Sequence, residues 1–191
     1  FNFIMALCGG LMAGYIVSKG DPFWTFSGGL AGVIATSAGN DLYHPIQALL
    51  IAAVIVVVIY KMHYWVERRF KLDDAVGAVA VHGYAGFLGV CAAGFVLWGY
   101  PASPDALLGH AEPWAKVTPW GQFAGAVIMF WVLGFIPGYI VSWILNRFGL
   151  LRVPREVELA GLDYAGLAAT AKEDDEIRAV VQGHAQARPA E

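Results

Sequence analysis

Long apolar runs, broken by short charged or glycine- and proline-bearing segments, constrain this chain more than any other feature. Residues 75–98 form one run of about two dozen residues, which meets the ~20 that an α-helix needs to cross ~30 Å of hydrocarbon. Four more runs occupy residues 1–18, 24–38, 46–60 (extendable to 65) and 121–145. The breaks between them include Lys19-Gly20-Asp21-Pro22, Gly39-Asn40-Asp41 and Asn146-Arg147. In lipid every backbone N–H and C=O must find a partner within the chain, and no run alternates as a barrel strand would, so all five are expected to be helices. Charged residues make up only 14% of the 191 and hydrophobic residues 58%, whereas a soluble domain carries about a quarter charged. The expected fold class is therefore an all-α membrane protein, with five transmembrane helices within residues 1–147 and a polar tail at 148–191.

Lysine and arginine set the expected orientation. If the five spans alternate, Lys19, Lys61, Arg68, Arg69, Lys71, Arg147, Arg152 and Arg155 all fall on one side, and only Lys116 on the other. That side is read as cytoplasmic, so the C-terminus is inside and the first helix runs inward, as in a multi-pass plasma (inner) membrane protein. Trp98, Tyr100, Trp114 and Trp120 then belong to an outer aromatic belt, and Tyr60, Tyr64 and Trp65 to an inner one. Phe1 has no charged region before an apolar core, unlike a signal peptide. The first run reads as a helix entered partway, so the chain is expected to be a piece of a longer protein. The tail is expected to form a short amphipathic helix near 168–187 and to be disordered at 186–191. The net charge of −3 leaves no basic footprint for nucleic acid.

Within the fourth run stands His82. An ionisable ring in an apolar span is costly, and by default marks a function. If the helix begins at Asp74, a ~1.5 Å rise per residue puts His82 ~12 Å along it, near the midplane of a ~30 Å core. Ala78, Ala85, Gly86 and Gly89 fall on the same stripe, leaving space around the imidazole. The ring could hydrogen-bond a neighbouring helix, ligate haem, or face a small substrate. His44 and His63 read as loop-edge residues, which disfavours a bis-histidine haem, and His110 and His184 as solvated. Asp73 and Asp74 suit a helix N-terminus, where carboxylates cap free N–H groups. Cys8 and Cys91 read as small packing residues. Asn2, Ser27, Thr36, Ser37, Gln122 and Ser142 are expected to hydrogen-bond between helices. No metal site, cofactor or enzymatic motif is read.

The segment Leu72-Asp73-Asp74-Ala75-Val76-Gly77-Ala78-Val79-Ala80-Val81-His82-Gly83, continuing through Gly86 and Gly89, resembles the tenth helix of the ammonium transporter (Amt/Rh) family. That family reads Asp-Asp, a spacer, then Val-His-Gly followed by glycines. Residues 149–163, with Arg152-Val153, Glu156, Glu158 and Gly161-Leu162-Asp163, are similar to its cytoplasmic tail, and residues 27–36 to its eighth helix. The resemblance covers the chain almost to Asp163. It departs at Gly77, where many bacterial members have Asp, at Val79, where Phe is common, and after Asp163, where His-Gly-Glu is often found.

The resemblance implies helices seven to eleven of an eleven-helix fold with inverted repeats. It implies a homotrimer that moves ammonium or ammonia through a narrow hydrophobic pore, with His82 as one of two midplane histidines. The partner histidine, an aromatic gate and an outer recruiting site would lie on the first six helices. Arg152, Glu156, Glu158, Gly161 and Asp163 would be regulatory, and a PII-type signalling protein is a cytoplasmic partner of some members. An ammonium sensor on the same fold is the principal alternative, and a haem-binding membrane subunit a lesser one.

Overall fold

A computed structural model describes residues 1–101 and 116–161. Its helices are α1 (Asn2–Ser18), α2 (Pro22–Thr36), α3 (Pro45–Phe70), α4 (Val79–Val96), α5 (Pro119–Arg147) and a short α6 (Arg155–Ala160). The described residues include no strand, only an isolated antiparallel bridge between Pro101 and Lys116. By length and composition α3, α4 and α5 can each cross a membrane, while α1 is apolar but shorter. Residues Phe1–Phe135 form one compact unit and Ile136–Glu191 a second, so the units part within α5. From Ile128 to Arg147 α5 has no buried residue.

Local chemistry explains where the helices start. α2, α3 and α5 each begin with a proline, whose missing N–H costs nothing there. Ahead of each proline sits a side-chain acceptor. Asp21 Oδ1 accepts from the Trp24 N–H at 3.0 Å, His44 Nδ1 from Ile46 at 3.3 Å, and Thr118 Oγ1 from Gly121 at 3.1 Å. Gln47 Oε1 accepts in return from the His44 N–H at 2.9 Å. Asp21-Pro22 is thus the start of α2 as well as part of the break after α1.

The largest boundary differences lie on either side of Asp74. α3 runs to Phe70, beyond the expected 60 or 65, because its last turns are polar but remain helical. α4 starts at Val79 rather than 75, because Gly77 takes φ +64°, a left-handed conformation that interrupts a helix. Two stretches, Val79–Tyr84 and Ile128–Phe135, have the wider π-helical turn.

The first four helices meet through residues without bulk. A Cβ on Gly28 of α2 would lie 2.7 Å from the Gly10 carbonyl oxygen of α1, and one on Gly32 the same distance from that of Ala6. Added carbons on Gly9 and Gly89 would collide with the carbonyl oxygens of Leu49 and Ala35. Around these crossings lie two cores, one with Ala31, Ala35, Val56, Ile59 and Ala85, the other with Ala6, Tyr43, Ala52, Ala93 and Leu97. Thr36 and Ser37 do not bridge helices as expected. Their hydroxyls donate to carbonyls of their own helix, Gly32 and Val33, as Ser and Thr do inside apolar helices. Asn2 does reach across, donating to the carbonyls of Asn40 at 2.8 Å and Tyr43 at 2.6 Å.

Tyr43, in the α2–α3 connection, is 4% exposed and its hydroxyl has no hydrogen-bond partner among the described residues. Burial, with Asp41 adding to it, pushes its phenol up to about 12. The folded state therefore holds this proton more tightly than the unfolded chain. The associated stability is present below pH ~10 and is lost as pH rises towards 12.

Gly89→Ala is expected to lower the thermal midpoint in detergent, through about 1–3 kcal/mol of overpacking against the Ala35 backbone. Gly86→Ala, whose Cβ would meet only Ile34 Cγ2 at 3.8 Å, is expected to be neutral or stabilising by up to ~1 kcal/mol. Tyr43→Phe is expected to remove a loss on the order of 2 kcal/mol between pH 10 and 12, seen by comparing the unfolding midpoints of the two proteins across that range.

Candidate functional site

Asp74 builds the start of α4. Its Oδ1 accepts from the Val79 N–H and its Oδ2 from the Ala80 N–H, both at 3.1 Å, while its own carbonyl accepts from Gly77 at 2.8 Å. Two helix-terminal donors are satisfied by one carboxylate, at the end where the helix dipole favours negative charge. Asp73 is exposed and makes no hydrogen bond with a described residue.

Because residues 75–77 are not helical, the position of His82 along its helix differs from the one counted from Asp74. It is the fourth residue of an 18-residue helix, so it stands roughly 5 Å from the start of a helix ~27 Å long. The ~12 Å expected from Asp74 counts helical rise across a segment that folds into a turn.

The imidazole is exposed on a groove of about 790 Å³ and makes no hydrogen bond with a described residue. From α4 the groove is lined by Val79, Gly83, Gly86, Phe87 and Val90 as well as His82. Ala126, Met129, Phe130, Trp131, Gly134 and Phe135 line the α5 side. Phe87 packs edge-on to Phe123 at 6.0 Å and to Phe130 at 6.2 Å, joining the two helices beside the ring. Both π-helical stretches contribute to the lining.

The small-residue stripe divides. Gly86 reaches the groove with His82. Ala85 is fully buried in the core with Val56 and Ile59, and Gly89 is buried against the Ala35 backbone. Ala78 is exposed and precedes the helix. The wide turn at Val79–Tyr84 holds His82, while Ala85, Gly86 and Gly89 lie on regular helix, where Gly86 faces away from the edge that Ala85 buries.

A sequence profile of the Ammonium Transporter Family matches residues 1–172. The chain belongs to the ammonium transporter family. It is 32% identical to Ammonium transporter Amt1 of Methanocaldococcus jannaschii, over 90% of this chain and 41% of that protein. Its identity to Ammonium transporter Amt2 of the same organism is 36%, over 84% and 36%. With the Ammonium transporter of Corynebacterium glutamicum it shares 30% identity over 88% and 37%. The chain thus spans about two-fifths of the length of these curated relatives. No solved structure matches it.

In this family member, the residue that sequence reasoning misses is His63. Hydropathy places it at a loop edge, yet it lies within α3, is 8% exposed, and sets its Nδ1 3.5 Å from Asp74 Oδ2. The polar letters around it end the apolar count and hide the continuing helix. Tyr60 and Tyr64 pack with His63 around buried Trp24, whose Nε1 donates to the Tyr64 hydroxyl at 2.8 Å. His44 caps α3.

In the second unit, Arg152 Nη2 donates to Glu158 Oε1 at 3.2 Å, an exposed pair of the kind that contributes little. Glu156 falls within α6, and Gly161, at φ 92°, ends it. Asp163, His110, His184, Trp114 and the expected helix near 168–187 lie outside the described residues.

Asp74→Ala is expected to cost about 1–2 kcal/mol of stability through loss of the cap. Asp73→Ala is expected to stay within about 0.5 kcal/mol of the parent. Thermal unfolding of the two variants side by side checks the contrast.

Proposed function

We propose that this chain forms part of a path for ammonium or ammonia across a membrane, and that His82 stands on its wall. The observation that carries this reading is an imidazole facing an apolar groove with no hydrogen bond to a described residue. A polar ring left so in a membrane protein costs free energy unless something that passes or binds there completes its hydrogen bonding. A neutral imidazole offers one donor and one acceptor, which suits ammonia. An ammonium ion stripped of water in apolar surroundings is far more costly, so a ring that can accept its proton eases entry. Gly83 and Gly86 beside the ring leave room for a molecule about the size of water.

Membership of the ammonium transporter family supports the substrate class, and the names of the relatives agree with it. The lysine and arginine bias supports an orientation with the 71–78 segment and the C-terminus on the cytoplasmic side. We extend the proposal to the pore-lining role of Gly86 and to a trimeric assembly, the latter resting on the family resemblance.

Methylammonium uptake by cells lacking their own carriers tests the reading. His82→Ala is expected to lower uptake about ten-fold, the scale of losing one hydrogen bond to a charged or desolvated group. Uptake and selectivity equal to those of the parent protein, at equal membrane abundance, would remove His82 from the path.

A further inference from the structure

We infer that His63 is a positioning residue for His82, acting through Asp74. The inference rests on the reading of His82 as a path-lining group. Asp74 Oδ2 has two neighbours, the Ala80 N–H at 3.1 Å and His63 Nδ1 at 3.5 Å. Both side chains are shielded, at 8% exposed for His63 and 15% for Asp74. The carboxylate therefore ties the first turn of α4 to the inner part of α3, and His82 lies two residues beyond Ala80 in that same turn. Where the carboxylate sits decides where the imidazole of His82 points.

His63 is itself held in place. Trp24 of α2 packs edge-on to its ring at 5.0 Å, and Tyr64 packs against it at 5.0 Å. Trp24 is 2% exposed and is locked by its hydrogen bond to Tyr64. Three helices thus converge on one nitrogen–oxygen contact. A non-helical segment with Gly77 at positive φ precedes α4, so backbone continuity alone does not fix the register of His82.

Two variants separate a donor from a filler. Asn at 63 can place its amide N–H near the position of Nδ1, while Leu fills space without a donor. In the intact protein, His63→Leu is expected to raise hydrogen exchange at the Val79 and Ala80 amides about five-fold, the scale of a weakened helix cap. It is also expected to lower methylammonium uptake several-fold, mainly in the maximal rate. His63→Asn is expected to restore both. If the Leu variant does not accumulate, His63→Phe carries the same comparison.

Unchanged exchange at Val79 and Ala80 in the Leu variant would overturn the link between His63 and the cap. Faster exchange with unchanged uptake, in a protein where His82→Ala lowers uptake, would overturn the positioning role alone. If His82→Ala also leaves uptake unchanged, the path reading falls and the positioning role with it, while the exchange result still reports whether His63 holds the cap. Equal defects in the Asn and Leu variants would reduce His63 to packing and overturn the inference.

Discussion

Backbone meeting backbone at glycine is the contact on which the rest of this structure depends. In lipid there is little hydrophobic gain from pairing two apolar helices, so close van der Waals packing must hold them. Gly10 and Gly28, Gly9 and Leu49, and Gly89 and Ala35 bring α1 to α2, α1 to α3, and α4 to α2 at distances that leave no room for one more carbon. About half of the buried residues around these crossings are alanine, with larger side chains such as Ile55, Val56, Ile59 and Leu97 between them. α4 is thereby pinned on two faces at two heights. Gly89 seats its middle on α2, and Asp74 secures its start against α3. The groove occupies the face that is left.

That division of labour explains why α4 carries both a packing edge and an open edge. Ala85 and Gly89 take the first, and His82 and Gly86 the second. A regular α-helix repeats every ~3.6 residues, so a stripe drawn from sequence keeps all four together. The wide turn at Val79–Tyr84 alters the phase of His82 against the residues after it, while Ala85, Gly86 and Gly89 keep ordinary helical phase, in which Gly86 stands about 100° round the axis from Ala85 and about 60° from Gly89. Wide turns of this kind have no reliable signature in composition, and neither of the two here is legible in the sequence.

Much else is legible there. The apolar runs mark out α3, α4 and α5 as helices long enough to cross a membrane, and an aspartate pair before a glycine-interrupted run points to a helix start. What the letters conceal is helix made of polar residues. The last turns of α3 contain Lys61, His63, Glu67, Arg68 and Arg69, which read as a loop when hydropathy is the guide. Their helical state rests on continuation of the hydrogen-bond ladder, and for His63 and Tyr64 on packing against Trp24 from another helix. Tertiary partners far away in sequence decide such residues, and local composition does not report them. His63 is undervalued for this reason, and the packing of Tyr60 and Tyr64 against Trp24 is illegible for the same one.

The carboxylate of Asp74 has a consequence for how the chain can change over evolutionary time. Because α4 is started by a side chain rather than by uninterrupted helix, the connection before Asp74 is mechanically separate from the helix after it. A residue inserted at 71–73 lengthens a loop and leaves the imidazole where it was. A residue inserted between Ala80 and His82 turns the imidazole by about 100° around the helix axis and carries it from the open edge towards the packed one. Two insertions only about ten residues apart would thus differ entirely in effect, and Asp74 is the boundary between a stretch free to drift and a stretch whose length is counted.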